Sequence, residues 1–151
     1  MSTYRLNMNA KPFYDAVERV LRQVGLEMEA DVVEWLENEG HVVSAGLRND
    51  VNSEVRREME RMAMSVGTAK KYGPWLHQGT KAHWAPIGPL RSWVKLKFGG
   101  SRDEVNRIAH AVQATIAKKG TKPAPYLRSV FDIWRPRMIG EITNRLKGQL
   151  A

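Results

Sequence analysis

The 151-residue chain contains no cysteine. That absence excludes disulfides, cysteine-ligated zinc and thiol catalysis together. It suits a cytosolic site of synthesis. Long apolar runs are missing as well. None approaches the roughly 20 residues of a membrane span. The opening "MSTYRLNMNAK" has no apolar core of a signal segment. A soluble chain without membrane contact is the expectation. No Gly-x-Ser-x-Gly elbow is present, and no serine is placed with histidine and aspartate in a triad pattern. "FGGSRDE" sets a glycine pair before a helix start but lacks the lysine and spacing of a phosphate loop. The sixteen acids form no paired-carboxylate pattern.

Hydrophobic residues make up 42% of the chain, enough for a core. The length fits one domain over residues 1–151. No repeat, low-complexity tract or long linker divides it. The net charge of +8 is uneven. Residues 10–40 hold three cations against eight acids, among them Glu34 and Glu37. The remainder therefore carries +13. An acidic element on a basic body can serve nucleic-acid binding or contact between copies. It can also simply face water.

From Lys11 to Glu39, apolar residues fall at Phe13, Val17, Val20, Val24, Met28, Val32 and Trp35. Those spacings of three and four predict one long helix, roughly 43 Å at about 1.5 Å per residue. Asn9 is placed to cap it, Pro12 suits its first turn, and Gly40 suits its end. Gly25 is a place for a bend, costing about 1 kcal/mol relative to alanine. Such a helix is long for so small a domain, which points to part of its stripe lying on a neighbouring molecule. Residues 42–68 are ambiguous. Val51, Val55, Met59 and Met62 fit a helix, whereas Met62, Met64 and Val66 alternate as in a strand. We read strands near 45–53 and 59–67.

Beyond these, Pro89, Leu90, Trp93, Val94 and Leu96 predict a short amphipathic helix closed by Gly99-Gly100. Ser101 and Glu104 open a second helix with a capping box. Val105, Ile108, Ala109, Val112 and Ile116 form its apolar face, and Lys118, Lys119 and Gly120 end it. Pro123 and Pro125 make "TKPAP" a rigid connector. Tyr126, Val130, Trp134, Met138, Ile142, Leu146 and Leu150 then recur every four residues, with a break expected at Pro136.

The most distinctive stretch is "YGPWLHQGTKAHWAP", Tyr72 to Pro86. His77 and His83 stand six apart in it, while His41 and His110 lie elsewhere. That spacing does not suit a zinc site, and no acid lies between Glu60 and Asp103 to complete one. Neither a metal nor a cofactor is expected. Lys81, Arg91, Lys95 and Lys97, interleaved with Trp84, Trp93 and Phe98, carry the nucleic-acid alternative. The same tryptophans are favoured anchors of protein contact. Gly73, Gly79, Pro74 and Pro86 shape the loop. We expect Trp75 and Trp93 in the core and Trp84 facing outward.

Five motifs, "AGLRNDV", "MSVGT", "YGPWLHQGTKAHWAP", "SWVKLKFG" and "APYLRSVF", follow one another in an order and spacing that carry a resemblance. Over about residues 10–135 the chain resembles the tail-completion or head–tail joining proteins of long-tailed phages, the gene-product-ten-like group related to lambda's minor tail protein Z. One departure is informative: His77 stands where that family usually has glutamate before x-Gly-Thr, so an acid-dependent contact there does not carry over. Residues after Pro136 lie outside the pattern.

The resemblance implies an α+β fold, with a long N-terminal helix and further helices packed on a small antiparallel sheet. It implies a structural role with no reaction, completing or capping the tail tube and joining tail to head. It further implies a ring of copies, a hexamer where it matches the tail. Tail-tube, tail-terminator or head-completion and connector proteins would be its partners. The location would be the neck of a virion assembled in the host cytoplasm, with passing contact with phage DNA. Glu34, Glu37, His77, Gln78, Lys81, His83 and Trp84 are the candidate protein-contact residues. A basic DNA-binding accessory protein is the alternative function.

Overall fold

The computed structural model describes residues 10–40, 45–59 and 61–150. Asn9 and His41 lie outside them. The order is α1 (Lys11–Asn38), α2 (Ala45–Arg48), β1 (Val51–Glu58), β2 (Arg61–Thr68), α3 (Gly73–Gln78), α4 (Ile87–Phe98), α5 (Arg102–Lys119), α6 (Tyr126–Trp134) and α7 (Met138–Leu150). The fold is α+β: helices packed with one two-stranded antiparallel sheet.

Helix α1 runs unbroken through Gly25. Its buried stripe is Ala16, Val20, Val24, Met28, Val32 and Leu36. Phe13 is exposed, and Leu36 rather than Trp35 ends the stripe. Spacings of four overshoot the helical period of 3.6, so the stripe winds around the helix. That winding lets α1 pack against the hairpin and against α6 and α7. Gly25 has a packing role. A Cβ there would meet the Ser53 Cβ at 2.9 Å and its Oγ at 3.0 Å. Gly25 is where β1 crosses the helix, and one turn on, Glu29 accepts from the Ser53 N–H at 3.0 Å and from its hydroxyl at 3.2 Å.

The ambiguous middle is a hairpin beginning later than the sequence suggested. Residues 45–48 are a helical turn, and the strands pair from Val51↔Thr68 to Glu58↔Arg61. Val51, Ser53 and Val55 turn inward opposite Val66 and Met64, while Glu54 and Arg56 face water. Tertiary burial thus selects the period of two over the competing helical spacing. Asp50 clamps the hairpin base. It accepts from the Thr68 hydroxyl at 2.5 Å and from the Ala69 and Lys70 N–H groups at 2.8 and 3.0 Å. Those bonds hold its carboxyl below the usual range.

The main core joins α1, Leu47, Val51, Val66, Tyr126, Val130 and Trp134. Pro136 separates α6 from α7, as expected. Trp134 donates to Asp31 at 2.7 Å beneath the Arg137 guanidinium. A second, smaller cluster of Val94, Val105 and Ala109 holds α4 against α5. Both ends of α5 match expectation, with a reciprocal Ser101–Glu104 capping box and Gly120 as the C-cap.

Much of the acidity of α1 is met within the chain. Glu27 holds Arg145 at 2.8 Å, Glu37 holds Arg48 at 2.9 Å, and Asp31 faces Arg137 at 3.9 Å. The opposed charges that the sequence offered for contact between copies are therefore partly joined within the chain itself.

Candidate functional site

The loop is built on Tyr126. Proline in the first turn starts α3. Gly73 packs on the Tyr126 hydroxyl and the Thr68 methyl, where a Cβ would lie 3.0 Å from the first. Leu76 turns into the main core, and its carbonyl accepts from the Ala124 N–H at 2.9 Å. His77 stands edge-on to the Tyr126 ring, centroids 5.2 Å apart. The His77 Nδ1 is buried with no hydrogen-bond partner. Burial, and then the nearby Arg128 charge, lowers its pKa and so favours the neutral ring.

With Leu76 and His77 turned inward, Trp75 is carried outward. It is 63% exposed, contrary to the expectation of a core residue. On a helix of six residues, one face alone reaches the core, and its neighbours take that face. Trp84 is 71% exposed and faces outward as expected. Trp93 is half-buried against the second cluster.

After α3 the chain crosses the segment leaving α5. Thr80 and Thr121 form an antiparallel bridge, with backbone N–H···O distances of 3.1 Å both ways and hydroxyls 3.0 Å apart. Gly79 and Gly120 flank it, both at φ +71°. A Cβ on Gly79 would meet the Thr121 carbonyl at 2.5 Å, and one on Gly120 would overlap the Thr80 carbonyl. Two further bonds secure the segment. The His83 N–H donates to Ile116 at 3.3 Å, and the buried Gln113 amide donates to the Ala85 carbonyl at 2.7 Å.

The result is a cleft of about 540 Å³ bordered by Trp75, Gly79, Thr80, Lys81, Ala82, His83 and Pro86. Lys81 and His83 are exposed, and the His83 Nδ1 is bonded to the Lys81 carbonyl at 2.9 Å. Gln78 is exposed beside them. His77, Gln78, Lys81, His83 and Trp84 thus share one loop, but His77 points inward. Glu34 is exposed on α1, and Glu37 is turned to Arg48. Neither belongs to the loop.

Trp75 and Thr80 were missed as site residues. Of the three Gly-Thr pairs in the sequence, Gly79-Thr80 and Gly120-Thr121 form the bridge, while Gly67-Thr68 ends β2, so the repeat alone did not identify it. Among the described residues, no three histidine, aspartate or glutamate side chains gather to hold a metal. No helix of the described residues is long and apolar enough to cross a membrane. No family model matches the chain, and neither a curated protein nor a solved structure matches it. What the loop offers is an exposed aromatic surface with polar edges, one of them the Lys81 ammonium.

Proposed function

We propose that the chain is a non-enzymatic virion structural protein of a tailed phage or prophage, completing or capping the tail tube and helping to join tail to head. The support is twofold: the ordered motifs that resemble tail-completion proteins, and the form of the loop they converge on. The observation that carries the reading is the outward pair Trp75 and Trp84, 63% and 71% exposed, on a loop pinned by the Thr80–Thr121 bridge, with Trp75 bordering the cleft. Large aromatic side chains on a rigid support bind protein with little loss of conformational freedom. In this reading the loop meets the next copy in a ring or the adjoining tail or connector protein.

The test is particle production. Trp75→Ala and Trp84→Ala subunits should fold with near-normal melting temperatures and yield tails and heads that fail to join. Normal infectious particles from the double variant would overturn the reading. Glu34→Lys alone probes the acidic helix in assembly. The Glu37→Lys change also breaks the in-chain bond to Arg48 and so answers a different question.

A further inference from the structure

The net charge of +8 is concentrated in one part of the molecule. Residues 79–122, the lobe closed by the Thr80–Thr121 bridge, hold nine lysines and arginines against two acids, Asp103 and Glu104. The remaining fifteen cations almost balance fourteen acids. Pairing follows the same division. Ion pairs join α1 to α2 and α7, but among the described residues none reaches a cation of the lobe. The Glu104 carboxylate is itself closed into the cap of α5 by the Ser101 N–H at 2.8 Å.

A cleft of about 500 Å³ opens between α4 and α5, lined by Arg91, Ser92, Lys95, Arg102, Val105 and Asn106. It has three cations, two neutral hydrogen-bonding side chains and no acid. Arg91 and Lys95 are four residues apart on α4, about 6 Å along the axis, and so lie on one face. Arg102 comes from the first turn of α5. The Lys95 ammonium donates to the Gly100 carbonyl at 2.7 Å, which fixes it and leaves two N–H donors. The cluster of Val94, Val105 and Ala109 braces both helices beneath the cleft. Phe98 lies at the end of α4, 59% exposed, with the Lys97 ammonium 5.9 Å from its ring.

We propose that the α4–α5 lobe binds the phosphodiester backbone of nucleic acid, with Arg91, Lys95 and Arg102 as the phosphate contacts and no reading of base sequence. A regular polyanion suits several unpaired cations spread over one braced lobe, and each contact gains by releasing a counterion. An acidic face on a second copy is a poor occupant, because α1 spends Glu27, Asp31 and Glu37 on its own chain. Duplex and single strand share the phosphate chemistry. Stacking on Phe98 favours the single strand alone. The three contact residues lie outside the tryptophan loop, and their cleft shares no lining residue with the one beside Trp75.

The experiment is fluorescence anisotropy of the full chain with a labelled random-sequence duplex and with one of its strands, over a range of salt. The Arg91→Ala/Lys95→Ala/Arg102→Ala variant should bind both at least about tenfold more weakly. On the duplex, the slope of log affinity against log salt should flatten by about 2–3, near 0.9 per lost phosphate contact. An Arg56→Ala/Arg61→Ala/Lys147→Ala control removes the same charge from the body and should bind as the parent does. Should the triple variant unfold, Arg91→Ala alone should flatten the slope by about 0.9. A Phe98→Ala loss confined to the strand would assign that source. The proposal falls if the parent does not bind either nucleic acid. It falls equally if the control weakens as much as the variant, or if polyglutamate competes as well as DNA.

Discussion

Thr80 and Thr121 exchange both backbone hydrogen bonds across the base of the α4–α5 lobe, and their hydroxyls lie 3.0 Å apart. This bridge ties the aromatic loop to the connector before α6. It depends on Gly79 and Gly120, which hold positive φ and leave room for the opposing carbonyls.

Replacing either glycine by alanine should therefore destabilise the chain. The strained backbone alone costs about 1–3 kcal/mol, and the Gly120 variant should be the worse because its Cβ overlaps the Thr80 carbonyl. Urea unfolding of Gly79→Ala and Gly120→Ala measures this. Parental stability in both would show that the bridge contributes nothing.

Gly25→Ala tests the helix–hairpin crossing. Helix propensity alone predicts a gain of about 1 kcal/mol. The 2.9 Å approach to the Ser53 Cβ predicts instead a net loss, about 1–3 kcal/mol for overpacking. Combining it with Ser53→Gly should recover part of that loss, a coupling that a double-mutant cycle isolates.

The tryptophans should separate into two classes on thermal or urea melting. Trp134, 3% exposed and bonded to Asp31, should lose about 3–5 kcal/mol on truncation to alanine. Trp75→Ala and Trp84→Ala should each change stability by less than about 0.5 kcal/mol. A large loss in Trp75→Ala would place that ring in the core after all.

His77 predicts a pH dependence. Burial and Arg128 hold its folded pKa below the ordinary value near 6.5. Below that ordinary value the unfolded chain takes up a proton that the folded chain refuses. Stability is then fully present above about pH 6.5 and is lost as pH falls through the folded pKa. His77→Phe keeps a ring against Tyr126, removes the unpartnered Nδ1 and should reduce the acid-side loss. Unfolding curves from neutral to mildly acid pH would reveal it; an unchanged slope would assign the loss to other groups.

Local pattern alone determined the long first helix, the Ser101–Glu104 cap, the glycine ends of α4 and α5 and the break at Pro136. Each rests on backbone chemistry within a few residues, where periodicity and capping act directly. The α+β class followed from the resemblance that the ordered motifs carry. Tertiary structure decided the rest. The hairpin began at Val51 because inward alternation could be read only once α1 lay against it. Gly25 proved a crossing point because Ser53 lies 28 residues away in sequence. Trp75 turned outward because Leu76 and His77 claimed the single buried face of α3, a competition that residue type does not reveal. The division into a charge-balanced body and a basic lobe also needed the fold, because Arg48, Arg137 and Arg145 reach α1 from distant parts of the chain. Spacing specifies which face a residue occupies; only packing specifies what that face meets.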